Sequence, residues 1–165
     1  MRPFAPSLRG AATERTDAVA RSVALQVVHV APGFGIGGLE RMLVDFARRV
    51  DGRRFEQSFV AIGVDGPIGA ELAAMSRSVT ALAKAGGFEP ALVLRLARLL
   101  RERGADVVHT HNAAGLFYGA PAARLAGVKR IIHTRHGVEP ISGRAMQALR
   151  AMSFLVDRIV CVSAD

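Results

Sequence analysis

From residue 25 onward the chain alternates short apolar runs, rich in Val and Ile, with longer stretches whose apolar residues recur at three- and four-residue spacing. The runs occupy 25–31, 55–62, 79–82, 106–110, 130–134 and 158–162. Apolar runs without in–out alternation predict strands buried on both faces, which means a parallel sheet flanked by helices. The clearest helical pattern is 90–103, where Leu92, Leu96 and Leu99 form one stripe and Arg95, Arg98 and Arg101 the opposite, solvated face. Pro90 suits the first turn and Gly104 the C-terminal cap. The resulting order predicts an α/β fold: a doubly wound, mainly parallel sheet of about six strands with helices on both faces. Ligands of such sheets bind at the carboxyl ends of the strands.

Bulk properties narrow the class. With 165 residues, half of them hydrophobic, the chain is the size of one domain with a sizeable core. No apolar run approaches the roughly 18 to 20 residues that cross a bilayer. Residues 1–22 carry Arg2, Arg9, Arg15 and Arg21 among small and polar residues and read as a disordered basic leader, with Glu14 and Asp17 arguing against an import presequence. Cys161 is the single cysteine, so no intrachain disulfide is expected and a reducing cytoplasm fits. Its place in an apolar run predicts a small core residue rather than a nucleophile. A net charge of +8, mostly arginine, favours anionic partners. One Tyr, no Trp and no aromatics interleaved with the basic residues leave no stacking platform for nucleic acid. Anionic lipid or a phosphorylated sugar fits better. Residues 142–158 place Arg144, Arg150 and Arg158 among Ala, Met, Leu and Phe, a pattern shared by a crossover helix and by a helix lying on an anionic bilayer.

Candidate chemistry collects at the strand ends. Residues Gly33-Phe-Gly35-Ile-Gly37-Gly38-Leu-Glu40 lie between the first strand and an amphipathic stretch at 41–50. Glycine reaches positive φ cheaply and admits a ligand to bare backbone, while a helix start favours negative charge, so an anion or sugar site is expected here. Gly33, Gly35 and Gly38 also satisfy G-x-G-x-x-G, but Asp65 stands late for the ribose-binding acid of a dinucleotide fold. Glu40 sits in the first helical turn, where it serves either the helix dipole or sugar hydroxyls. Asp106-Val-Val-His109-Thr-His111-Asn112 closes the fourth strand. His109-x-His111 is a metal-ligand spacing, yet no Cys, Asp or Glu completes a shell nearby, and no metal site is expected. His109 is expected to pack in the strand, with His111 and Asn112 past its end facing the cleft. The fifth strand closes as His133-Thr-Arg-His136-Gly137, where His136 can hydrogen-bond or exchange a proton with a ligand.

Together, Gly37-Gly38-Leu-Glu40, Asp106 to His111, His133 to Gly137 and Asp157-Arg-Ile-Val-Cys161-Val-Ser163 resemble the N-terminal half of a glycosyltransferase family 4 enzyme of the GT-B fold, over about 23–165. The similarity is nearest to sugar transferases of bacterial exopolysaccharide assembly. It implies a Rossmann-like domain that mainly binds the acceptor, a nucleotide-sugar donor held mainly by a separate C-terminal domain, retention at the anomeric carbon, and no cofactor or metal of its own. It also implies that Gly37 and Gly38 lie against donor phosphates or acceptor, that His136 acts at the transferred sugar, with Gly137 beside it, and that Glu40, His111 and Asn112 line the acceptor side. The acceptor would be a glycan or lipid-linked sugar, and the setting the cytoplasm or the inner face of the plasma membrane. The Arg/Lys pair and Glu-x7-Glu motif of the donor domain have no counterpart in these 165 residues. Half a cleft is expected to give little or no turnover by itself. Two other readings are a stand-alone dinucleotide-binding module and a peripheral membrane protein.

Overall fold

The structure, a computed structural model, describes residues 24–137 and 143–162. The leader expected over 1–22 lies outside them. In chain order the elements are β1 (Leu25–Ala31), α1 (Gly38–Arg49), β2 (Phe55–Ala61), α2 (Pro67–Ala74), β3 (Ser78–Ala81), α3 (Pro90–Glu102), β4 (Val107–His111), α4 (Asn112–Ala126), β5 (Arg130–Arg135), α5 (Gly143–Ser153) and β6 (Arg158–Cys161). All six strands are parallel, in the order β3-β2-β1-β4-β5-β6. The chain winds outward from β1 to β3, then crosses back to β4 and winds the other way. Loops leaving β1 and β4 therefore diverge, and a crevice opens between them at the carboxyl edge.

Each face of the sheet has its own core. Ala31, Phe59 and Ala61 pack under α1 and α2 through Leu39, Leu43, Val44, Ile68 and Leu72. Val28, Val30, Val60, Val108 and Ile131 pack under α3 and α4 through Leu92, Leu96, Leu100 and Leu116. Helix α4 lies close over β1 and β4 because its inner face is small. A Cβ on Gly115 would stand 2.6 Å from the Val30 carbonyl oxygen, and one on Gly119 would stand 2.7 Å from Thr110 Cγ2. The caps of α3 agree with the sequence: Pro90 opens it and Gly104, at φ +59°, follows the C-cap.

The C-terminal part departs from expectation. Residues 142–158 do not form one helix: α5 ends at Ser153 and a turn leads into β6. Strand β6 is not buried, every residue of it is exposed, and Cys161 is an exposed thiol rather than a core residue. The reason is position. Among the described residues β6 is hydrogen-bonded only to β5, at the sheet's edge. Helix α5 has no fully buried residue, and its Leu149 and Met152 pack toward the core under α4.

Candidate functional site

The crevice at the β1–β4 divergence is walled first by the glycine turn. None of Gly33, Gly35, Gly37 and Gly38 has a left-handed φ, so positive φ is not the reason for glycine here. Gly37, the N-cap of α1, is extended at φ −171°. Gly35 and Gly38 have open space where a Cβ would stand, with no heavy atom within 4 Å. Neither backbone strain nor packing against the described residues requires glycine at these two positions. Without side chains, Gly35 and Gly38 leave their backbone open to approach from outside the described residues. Helix α1 starts without a side-chain cap, leaving its first-turn N–H groups to favour an anion, with Glu40 in that turn.

The opposite wall is held by Asn112 and His136. Asn112 takes a left-handed φ of +55°, and its Oδ1 accepts the backbone N–H of His136 at 2.9 Å. Asn is one of the few residues that tolerate this conformation. Gly137 then turns the chain at φ +115°, where a glycine is required. The His136 ring is half-buried; burial lowers its pKa from the ordinary value, and the Glu40 carboxylate pulls it back up. Glu40 and His136, 96 positions apart in the chain, therefore act on each other across the crevice.

Behind His136 lies an array of rings that no single sequence motif announces. His111 is completely buried, which corrects the expectation that it faces the cleft. Its Nδ1 lies 3.0 Å from His136 Nε2, and its Nε2 lies 3.1 Å from His29 Nδ1. His29 Nε2 in turn lies 3.2 Å from the amide nitrogen of buried Gln57. His29 stacks on Phe59, with ring centres 5.0 Å apart. Burial, with the nearby His109, pushes His29 down to about 3, and burial with the surrounding histidines holds His111 well below its ordinary value. His109 is pushed down to about 4, by burial and then by His136 and His133, and its Nε2 meets Thr134 Oγ1 at 2.7 Å. On the other face His133 Nδ1 lies 3.2 Å from the Thr110 carbonyl and 3.0 Å from its hydroxyl.

The possible ligand nitrogens of His29, His109 and His111 all fall within 4.8 Å of one another. The sequence pointed to His109 and His111 alone; the third nitrogen donor comes from β1. Three neutral imidazoles suit a divalent transition ion. Yet His29 and His111 already bond each other, His111 also bonds His136, and His109 bonds Thr134, so the array is satisfied as hydrogen bonds.

Of the expected site residues, the fold brings Gly37, Gly38, Glu40, Asn112, His136 and Gly137 to one crevice and sets His111 behind them. Asp65 spends Oδ1 on the N–H of Gly66. His29 and Gln57 went unnoticed in the sequence. The signal that could have flagged them is period two: with β1 beside both β2 and β4, polar residues at 29, 57, 109 and 111 share one face.

Residues 36–165 match glycosyltransferase family 4. Over 45 residues, 27% of this chain and 12% of the relative, the sequence is 44% identical to a UDP-Gal:alpha-D-GlcNAc-diphosphoundecaprenol alpha-1,3-galactosyltransferase of Escherichia coli. Among solved structures, a glycosyltransferase from Rickettsia africae ESF-5 superposes with a TM-score of 0.66 at 20% identity, covering 85% of this chain and 37% of that one. The lipopolysaccharide outer core galactosyltransferase WaaB gives 0.63 at 13% identity, covering 85% and 40%. A UDP-N-acetylglucosamine 2-epimerase gives 0.57 at 14%, covering 86% and 42%, so the fold alone does not choose between transferase and epimerase. The chain thus spans about two-fifths of the length of these structures and far less of the curated relative. The family match covers the crevice from the first turn of α1 to His136 and beyond, and on it the chain belongs to glycosyltransferase family 4.

Proposed function

We propose that this chain is the acceptor-binding half of a retaining glycosyltransferase that moves a sugar from a nucleotide-sugar donor to a glycan or lipid-linked acceptor. The carrying observation is the crevice itself, where the uncapped start of α1 and the open positions at Gly35 and Gly38 face the Glu40–His136 pair. The helix start offers N–H groups to a phosphate, and Glu40 and Asn112 offer polar atoms to sugar hydroxyls. His136, poised at the reacting sugar, would donate or take a hydrogen bond there.

A second feature favours a lipid-linked acceptor. Beside the first turn of α4 an apolar cavity of about 290 Å³ is lined by Phe88, Phe117, Tyr118 and Leu149. Phe88 is 65% exposed and meets Phe117 edge to face. An isoprenoid or acyl chain suits such a surface, and the Escherichia coli relative carries its acceptor sugar on diphosphoundecaprenol by name.

Transfer requires donor and acceptor held together in a closed, preorganised site, so this half needs a donor-binding partner domain. The test adds a matching C-terminal domain in trans and follows transfer of labelled sugar from nucleotide-sugars to a short-chain prenyl-diphosphate acceptor. Restored transfer, weakened by His136→Ala, is expected. Full turnover by the 165 residues alone would overturn the dependence on a second domain, and tight NAD(H) binding would overturn the assignment in favour of a dinucleotide module.

A further inference from the structure

We propose that Gln57 and His29 are positioning residues that fix, through His111, which ring nitrogen of His136 carries its proton. Gln57, His29, His111 and His136 are joined in series by three nitrogen-to-nitrogen contacts of 3.2, 3.1 and 3.0 Å. Each contact needs one N–H and one lone pair, and a neutral imidazole has one of each. Once one contact is polarised, every other follows. The series has only two consistent orders.

The amide of Gln57 selects between them. Its nitrogen, which can only donate, is the atom at His29, while its Oε1 is buried without a partner among the described residues. As placed, the amide leaves Oε1 and one N–H without a partner among the described residues; turned over, its carbonyl would pair with His29 but both N–H groups would be orphaned, and an orphaned buried N–H is rarer in folded proteins than an under-satisfied carbonyl. Gln57 therefore donates to His29 Nε2, His29 Nδ1–H to His111 Nε2, and His111 Nδ1–H to His136 Nε2. The proton of His136 is left on Nδ1. With His29 3% exposed and His111 fully buried, water is kept from relaxing the order. His109 sits beside the series but is paired to Thr134, and His133 belongs to the other face. Among the described residues, Glu40 is the carboxylate that acts on the open end.

The consequence concerns chemistry in the crevice. Held in this order, His136 presents an N–H and no lone pair, so it serves a sugar hydroxyl or phosphate oxygen as a neutral donor rather than as a base. This consequence rests on His136 being the sugar-facing group; the proton order itself does not, and it is measured with no ligand present.

The full chain, labelled with ¹⁵N-histidine, would be studied by long-range ¹H–¹⁵N correlation, which separates protonated from bare ring nitrogens. His136 is expected in the Nδ1–H form alone. Gln57→Leu removes the polarising donor without adding charge, and His29→Phe cuts the series; each is expected to give His136 a mixture of both forms. His133, whose Nδ1 can only donate to the Thr110 carbonyl, should stay unchanged and reports that each variant is folded. A wild-type His136 in the Nε2–H form, or a pure Nδ1–H signal surviving both substitutions, would overturn the proposal. So would stoichiometric zinc binding at His29, His109 and His111 at micromolar metal, since an ion there would take the lone pairs the series uses. Acceptor binding, measured separately, can fail while the proton order holds.

Discussion

Asn112 holds His136 in place: its Oδ1 accepts the His136 backbone N–H at 2.9 Å from a left-handed backbone at φ +55°. Two costs can be separated here. Asn112→Gly removes the acceptor but adopts the conformation freely, whereas Asn112→Ala removes the acceptor and adds left-handed strain of about 1–2 kcal/mol. The hydrogen bond itself contributes about 1 kcal/mol. Urea denaturation should therefore rank wild type above the glycine variant and the glycine variant above alanine. Both variants should lose acceptor binding alike, because both release His136.

The glycines divide into those the fold needs and those it leaves open. Gly115→Ala drives a Cβ to within 2.6 Å of the Val30 carbonyl, backbone against backbone, so α4 must shift. A loss of about 1–3 kcal/mol is expected. Gly38→Ala meets nothing within 4 Å and should keep or slightly raise stability. Ligand measurements should reverse the order: the Gly38 variant, folded as well as wild type, should bind a diphosphate-bearing acceptor more weakly. Equal binding by the Gly38 variant would remove the close backbone approach on which this reading of the turn depends.

If the acceptor is lipid-linked, the domain has to meet a membrane. No helix among the described residues is long and apolar enough to cross one. Helix α5, with no fully buried residue and with Arg144 and Arg150 exposed, is the surface the composition points to. Basic residues near an anionic bilayer contribute about 1 kcal/mol each, within a Debye length. Flotation with phosphatidylglycerol vesicles at low salt should recover the protein. Arg144→Glu with Arg150→Glu should reduce recovery several-fold, and neutral vesicles should recover none.

The fold was legible because its signals are local. Each strand is an apolar run beginning within a residue or so of where it lies, and Gly104 and Gly137 take the left-handed φ that only glycine accepts readily. The crevice was legible in part, since strand ends carry it and strand ends can be read. The buried array was not. A histidine among valines in β1 and a glutamine near the start of β2 look like isolated polar exceptions until β1 is laid between β2 and β4. The β1–β2 pairing sets Gln57 against His29 and the β1–β4 pairing sets His29 against His111, and the second, which aligns His29 with His109, spans 80 residues of chain. The exposure of β6 was hidden for a related reason: an apolar run records a tendency to be covered, not what covers it.

The buried rings also set how the domain responds to acid. In the folded chain His29 is pushed down to about 3 and His111 lies well below its ordinary value, both chiefly by burial. Unfolded, each titrates near 6.5. Above that pH neither state is protonated and the two rings cost nothing. Below it the unfolded chain takes up protons that the folded chain refuses, so stability falls as pH falls and continues to fall until the folded pKa values are reached. His109, pushed down to about 4 chiefly by burial, behaves alike, and three such groups give a limiting slope of about 4 kcal/mol per pH unit below pH 6.5. Against a total of about 5–15 kcal/mol for a domain, that loss is large. Urea midpoints should thus be flat above pH 7 and drop steeply below 6.5, and His29→Phe should reduce the slope by about a third. A stability flat down to pH 5 would mean that the rings accept protons in place, and that the head-to-tail order from Gln57 to His136 does not hold them neutral.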